Sequence, residues 1–449
     1  MDRLSVTDHV TGLFQTARNP MNIAGLLLFD LPPDDRAAFA ERIRAHLAAR
    51  LPASPLARRL VKSPQGYDAN AWLRISAANC MARVRQPEAQ PRTALELRNH
   101  LIARQMQPID LADAPFEIDI LDRLDGPHGA LFIKVHHSCM DGVGFQMLLE
   151  FLSDSGGDLP RVETGTDEPV PSDAEWLAAA EARFAAEAGQ TAERMAEIGA
   201  VQGRLEAFLA DPAHQRPTAP DMAFGSEITL ERAYRTLALP LERIKAAGRP
   251  HGATVNDMFL AIAAGGLRHY LLARGELPAA SLVSHSVRST RRTEDGMTGN
   301  RVASIYPVLA TDEPDRLIRL RRIMAAMAVE KARSAIEEPM LDAPETPFGT
   351  RDREIAFADP AVLQAALGSA NVVLSNVPGP AQPLRFGGLV LSANYPVPIV
   401  GPGRFLNITS RRNGDALNLG IMVDAAKVPD IDALVAAIQA EFEAFTANP

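Results

Sequence analysis

Lys134-Val135-His136-His137-Ser138-Cys139-Met140-Asp141-Gly142-Val143-Gly144 is the stretch that decides the fold. The apolar run Leu131-Phe132-Ile133 leads into it and reads as the end of a strand. Asp141-Gly142 signals a turn. Beyond the turn, Phe145, Leu148, Leu149 and Leu152 share one helical face, and Gln146, Glu150, Ser153 and Asp154 the other. A strand–turn–helix with two histidines at the turn sets imidazoles at the mouth of a sheet, where ligands collect in α/β proteins.

Taken by themselves, the paired histidines leave several uses open. Adjacent strand residues point to opposite faces, so His136 and His137 do not chelate one metal in simple geometry, and no helical HExxH arrangement accompanies them. Ser138 and Cys139 lie close by, but neither sits in a Gly-x-Ser-x-Gly elbow. Two buried histidines with satisfied hydrogen bonds are the plain alternative.

The rest of the chain bounds the class. With 449 residues it is too long for one core. Its 47% hydrophobic and 22% charged residues are those of a globular protein. A net charge of -9 makes a nucleic-acid partner a poor expectation. Two cysteines, Cys80 and Cys139, give neither a disulfide framework nor zinc spacing and fit a reducing cytoplasm. The opening MDRLSVTDHVTGLF lacks a basic segment followed by an apolar one, so no signal peptide is expected. The longest nearly apolar stretch, Met258 to Leu267, falls far short of the roughly 20 residues that span a bilayer.

Strand and helix patterns alternate in both halves, which argues for two α/β domains. We read residues 1–155 as one domain, 156–228 as a linker with amphipathic helices, and 229–449 as a second domain. Ile23–Phe29 and Ala130–His137 read as strands in the first, and Asp34–Leu51 as a helix. Residues 154–173 are rich in Gly, Pro, Asp, Glu and Thr, the composition of a linker. Met195, Ile198, Val201, Leu205 and Phe208 then recur at helical spacing, which reads as one or two amphipathic helices, packing across a domain seam or lying on a lipid surface. In the second domain, strands are expected over Arg232–Leu239, Val302–Leu309, Val372–Leu374, Arg404–Thr409 and Leu417–Val423. Thr254 to Asp257 forms a capping box ahead of an apolar helix, and Asp430 caps a last helix.

His-His-x-x-x-Asp-Gly resembles the motif of the coenzyme-A-dependent acyltransferase superfamily, and other segments narrow the likeness. Arg3-Leu4-Ser5 through Asp8, Pro20-Met21-Asn22, Asp113-Ala114-Pro115-Phe116-Glu117, Asn256-Asp257-Met258-Phe259-Leu260, Ser286-Val287-Arg288 and Ser375-Asn376-Val377-Pro378-Gly379-Pro380 follow in family order. Together they resemble the bacterial wax ester synthase/diacylglycerol acyltransferases over most of the chain. Asn22 departs from the family's usual His, and Ala114-Pro115-Phe116 from its Pro-Leu-Trp.

The resemblance implies two chloramphenicol-acetyltransferase-like α/β domains, each a mixed sheet with flanking helices, and a tunnel at their interface. It implies transfer of a long-chain acyl group from acyl-CoA, the co-substrate, to a fatty alcohol or diacylglycerol, with no resident cofactor and no metal. His137 would be the general base, suited by the near-neutral titration of imidazole, and His136 a positioning residue. Asp141 would hold the loop by pairing with an arginine, Arg288 being the expected partner, and Gly142 would allow a tight turn. Asn256, in the first turn of its helix, is the expected oxyanion donor, beside the capping Asp257. Arg291, Arg292, Arg404 and Arg411 are candidate phosphate contacts. A cytoplasmic protein in peripheral contact with a membrane or lipid droplet is expected. The rival readings are an acyltransferase acting on a small alcohol or polyketide hydroxyl, a non-catalytic condensation-like binding module, and a metal hydrolase.

Overall fold

The apolar run after Met21 becomes strand β1 (Asn22–Asp30), joined by β2 (Phe116–Leu121) and β3 (His128–His136). Every residue of β3 from Gly129 onward is buried, as a central strand covered on both faces requires. Helix α1 (Gly142–Leu152) follows the His turn, its first turn capped by Asp141, whose carboxylate accepts from the Gly144 N–H at 2.7 Å. A computed structural model gives this architecture, and it describes residues 1–157, 165–216, 218–225, 227–367 and 370–447. Part of the linker expected over 154–173 therefore lies outside the described residues.

Helix α2 (Asp173–Leu209) is one continuous element of 37 residues, about 55 Å long at 1.5 Å per residue. Trp176, Ala180 and Val201 are its buried side chains; of the expected stripe, Ile198, Leu205 and Phe208 are half-buried and Met195 is exposed. Arg183 of α2 pairs with Asp68 of the first half, and Arg194 with Asp342 of the second at 3.2 Å. The helix thus ties the two halves from outside.

The second half runs β4 (Arg232–Pro240), α3 (Val255–Ala273), β5 (Ser284–Ser289), β6 (Val302–Ile305), α4 (Arg316–Glu337), β7 (Val372–Val377), β8 (Leu389–Val397), β9 (Leu406–Asn413), β10 (Ala416–Asp424) and α5 (Ile431–Thr446). The capping box at Thr254 and Asp257 is present, and Asp430 accepts from the Ala433 N–H at 3.0 Å. The expected strand over Val302–Leu309 stops at Ile305. The expected helix over Asp34–Leu51 is split into Pro33–Arg36 and Phe39–Arg50.

Among the described residues two six-stranded mixed sheets form, beside a small three-stranded one. The second has the order β6-β5-β7-β9-β10-β4, with β7 parallel to both β5 and β9. The first has the order Arg385–Phe386, β8, β1, β3, β2, Val84–Arg85. Its β8 comes from the second half of the sequence and pairs antiparallel with β1, Tyr395 opposite Leu26. A strand from the region read as the second domain therefore completes the first sheet.

The crossing is close: a Cβ on Gly420 of β10 would lie 1.7 Å from the Pro396 carbonyl oxygen of β8, so only glycine fits there. Tyr234 of β4 donates to the same carbonyl at 2.8 Å. The α3–α5 layer buries Leu374, Leu406, Ile408, Leu434, Ile438 and Phe442 on one face of the second sheet. The other face looks toward the first sheet.

Candidate active site

A cavity of about 590 Å³ lies between the two sheets. Strand parity sorts its wall. Val373, Ser375 and Val377 of β7, Asn407, Thr409 and Arg411 of β9, and His285, Val287 and Ser289 of β5 face it, each an i, i+2, i+4 set. The first half supplies Ile23 and Ala24 of β1 and the His loop through His137, Asp141, Gly142 and Val143.

The two histidines part as their strand position dictates. His136 is 2% exposed and lies off the cavity. Its Nδ1 accepts from the Ser138 N–H at 3.2 Å, so its Nε2 carries the proton, donated to Gln15 Oε1 at 3.1 Å. Burial, with the His137 ring second, lowers its pKa from the usual 6.5 to about 3. It is a neutral structural group that holds the turn.

His137 is half-buried and reaches the cavity. Its backbone N–H donates to the Met21 carbonyl at 2.7 Å. Its Nδ1 lies 3.0 Å from Asn300 Oδ1. The Asn300 Nδ2 donates to Asp8 Oδ1 and to the His137 carbonyl, both at 2.7 Å, and both partners only accept. The amide orientation is thereby fixed, and Oδ1 must accept from Nδ1–H. The proton is held on Nδ1, and Nε2 keeps its lone pair.

Asp8 in turn accepts from the Asn300 N–H at 2.7 Å and from the Ser5 hydroxyl at 2.7 Å. Sequence reasoning missed Asn300, and it quoted Asp8 within the opening motif without a role. The available signal was Gly299-Asn300, since Gly299 has φ +75, which marks a special turn. The Gly299 N–H donates to the Cys139 carbonyl at 2.9 Å, bringing Asn300 onto the His loop.

Asp141 does not pair with Arg288. Its carboxylate meets Arg291 Nη2 at 2.9 Å and accepts the Arg301 N–H at 2.8 Å, besides capping α1. The reason is parity: Arg288 alternates with Val287 and Ser289, faces α4 across the sheet, and pairs there with Glu338 at 2.6 Å. Arg291 lies beyond the strand end and folds back. Its side chain is 5% exposed and also donates to the carbonyls of Gly296 and Gly299. The Nη donors of Arg291 are therefore committed to the loop, while the residue also lines the cavity.

Gly142 is needed for space: a Cβ there would lie 2.9 Å from Val377 Cγ2. Its neighbour across the gap is thus the second sheet itself. Asn256 does not line the cavity. Helix α3 packs on the far face of the second sheet, with Leu374, Leu406 and Ile408, so its first turn cannot face His137 from the cavity side. Asp257 holds the α3 cap through Thr254, at 2.9 Å from its N–H.

Of the remaining arginines, Arg292 is exposed at the cavity, while Arg404 and Arg411 line it from buried positions. His285 lines the wall as well, stacked on Tyr306 with ring centroids 5.3 Å apart. Burial first, then Arg404, Arg216 and His137, keep its pKa well below the ordinary value, so it stays neutral. Cys139 is buried and takes a bond from Arg58 at 3.1 Å; burial raises its thiol pKa, so no thiolate faces the cavity. Ser138 is likewise buried off the cavity.

The arrangement supplies one unprotonated imidazole nitrogen, held from behind, at a cavity between two α/β sheets. Comparison with known proteins places the chain in a family. The family described as the wax ester synthase/diacylglycerol acyltransferase catalytic domain matches residues 4–259, and the family's C-terminal domain matches residues 298–446. A probable diacylglycerol O-acyltransferase of Mycobacterium tuberculosis is 28% identical, over 99% of this chain and 98% of its own.

Among solved structures, a wax ester synthase/diacylglycerol acyltransferase from Marinobacter aquaeolei superposes with a TM-score of 0.65 at 24% identity, covering 99% of this chain and 100% of that one. The starter condensation domain of rhizomide synthetase, solved with C8-CoA and Leu-SNAC, shares the fold at a TM-score of 0.56 and 14% identity, over 99% of this chain and 94% of its own. The chain belongs to the wax ester synthase/diacylglycerol acyltransferase family, and its chemistry is O-acyl transfer from acyl-CoA.

Proposed function

We propose that His137 is the general base of a direct acyl transfer, in which a long-chain acyl group passes from acyl-CoA to a fatty alcohol or a diacylglycerol. The observation that carries this reading is the fixed tautomer. Nδ1–H is committed to Asn300 Oδ1, so Nε2 is the basic nitrogen on offer to the cavity. A hydroxyl placed there gives its proton to Nε2 as its oxygen attacks the thioester carbonyl. The C–S bond breaks, and the same imidazolium protonates the departing thiolate, yielding ester and CoA–SH. Asn300 holds the imidazolium by its amide oxygen, backed by the Asp8 carboxylate.

Asp141 supports the loop through Arg291 and does not touch the imidazole chain. With Ser138 and Cys139 turned away from the cavity, neither is placed to form an acyl-enzyme. Arg292, exposed at the cavity, is our candidate for a CoA phosphate contact. No helix among the described residues is long and apolar enough to cross a membrane. We propose that a lipid acceptor is met peripherally, at a membrane or lipid-droplet surface, because the acceptor itself is a lipid.

The test is purified protein with palmitoyl-CoA and a panel of fatty alcohols and diacylglycerols, following thiol release together with ester formed. Equal amounts of thiol and ester are expected. Thiol release without ester from any acceptor would replace transfer with hydrolysis.

A further inference from the structure

The cavity holds a buried cation that the acyl-transfer steps do not use. Arg411 is 3% exposed and lies on the cavity-facing side of β9. Its Nη1 donates to Asn394 Oδ1 of β8 at 3.1 Å, and its guanidinium sits 4.9 Å from the ring centroid of Phe145 in α1. Its Nε has no hydrogen-bond partner among the described residues. No carboxylate among them forms an ion pair with it; the polar group that acts on it is the Tyr234 phenol, whose own pKa is raised by burial.

Burial lowers the pKa of Arg411 only to about 10, so it remains charged at neutral pH. Two more buried donors beside it are also unused. Asn394 Nδ2 has no partner, and its amide orientation is set because Oδ1 accepts from Arg411. Asn418, opposite Arg411 in the β9–β10 ladder, leaves its Nδ2 unpaired as well. A desolvated cation with surplus donors is a costly feature unless an acceptor-rich group arrives to meet it. A fatty alcohol or a diacylglycerol brings no such group.

We propose that this site accepts an anionic acyl acceptor, a hydroxy acid whose carboxylate seats on Arg411 while its hydroxyl reaches His137. The inference rests on the O-acyl-transfer reading and adds an anionic acceptor class to the neutral ones proposed above. The reaction balances as before: the hydroxyl oxygen forms the ester bond, the C–S bond breaks, the proton passes through His137 to the CoA thiolate, and the carboxylate is unchanged. The other source of the same chemistry is CoA, with its phosphates. Arg411 lies enclosed between the sheets under Phe145 and Asn394, whereas the exposed Arg292 is where a bulky nucleotide arm has room.

The experiment compares 6-hydroxyhexanoate and 12-hydroxydodecanoate, each against its methyl ester, with palmitoyl-CoA as donor. In the unaltered protein at least one acid should exceed its ester in kcat/KM by about tenfold or more, and Arg411→Met should erase that ratio. Esters preferred at both lengths would overturn the proposal without any variant. So would an Arg411→Met protein that keeps the ratio but shows a raised KM for palmitoyl-CoA and not for palmitoyl-pantetheine, since the cation would then serve CoA.

A ratio and a donor KM that both stay put would assign Arg411 to clamping the sheets. If no acceptor of either charge is esterified, the acyl-transfer reading itself fails. Calorimetric binding of 12-hydroxydodecanoate, lost in Arg411→Met, would still support the anion site, and its absence would overturn that too.

Discussion

Asn300→Ala tests the central step, because it leaves His137 in place and removes what fixes its proton. Three side-chain hydrogen bonds disappear: to His137 Nδ1, to Asp8 Oδ1 and to the His137 carbonyl. A net bond contributes about 0.5–1.5 kcal/mol and one to a charged group about 1.5–3. The variant should therefore lose roughly 3–5 kcal/mol of stability, read as a lower urea midpoint. In catalysis, an unheld imidazole samples both tautomers, and the imidazolium loses a charge-assisted bond. A loss of about 1.5–3 kcal/mol of transition-state stabilisation is about 10–150-fold in kcat.

The KM for acyl-CoA should stay within about twofold, since the amide touches only the back of the ring. The assay is initial-rate kinetics at saturating acceptor, on protein whose near-ultraviolet circular dichroism matches the unaltered chain. A folded Asn300→Ala protein within about threefold of normal kcat would refute the reasoning. So would a loss confined to KM.

His137→Ala should cost at least about a hundredfold in turnover with CoA binding kept, whereas His136→Ala should lose less turnover and more stability; reversed effects would exchange their roles. Asp141→Asn and Arg291→Met should each cost about 3–5 kcal/mol, and their double variant clearly less than the sum, while Arg288→Met should cost under about 1 kcal/mol because its pair is partly exposed. Intact mass after incubation with acyl-CoA alone should reveal no acyl adduct, and an adduct discharged at the turnover rate would end the direct mechanism. His136 and His9 have folded pKa values lowered to about 3 and about 4, chiefly by burial, against 6.5 unfolded. The unfolded chain therefore binds their protons first, so stability is full above about pH 6.5 and falls below it, by about 1.4 kcal/mol per pH unit for each. Urea midpoints from pH 7 to 5 check this, and His136→Gln should flatten the slope by one histidine's share.

The strand, turn and helix around the two histidines were legible because their signals are local: an unbroken apolar run, Asp141-Gly142, and apolar residues at helical spacing. The caps at Thr254 and Asp430 were legible for the same reason. Partners far apart in sequence were not. Arg288, Arg291 and Arg292 are equally good cations on paper, and only the end of β5 at Ser289 decides which one folds back to Asp141. Asn256 looked catalytic because a helix start offers donors, but the sequence does not say which face of the sheet the helix covers. Strand β8 has a weak signal of its own, since Pro396 reads against a sheet interior, and its partner β1 lies some 370 residues earlier.

The same long-range geometry explains why the site is built across two halves. His137 and Asp8 come from the first, and Asn300, which joins them, from the second. Asp141 comes from the first, and both Arg291 and the Arg301 N–H that hold it come from the second. Each half alone would leave a buried carboxylate without its donors and an imidazole without a fixed tautomer, and both are unfavourable. The held imidazole of His137 is therefore assembled where the halves meet, and the cavity it lines is formed by the same contact. The strand β8 exchanged into the first sheet, and helix α2 paired to both halves, secure that docking from inside and from outside. The His137 ring can then sit on a short turn and still be held firmly, because its hydrogen-bond partner comes from the other half and not from the turn.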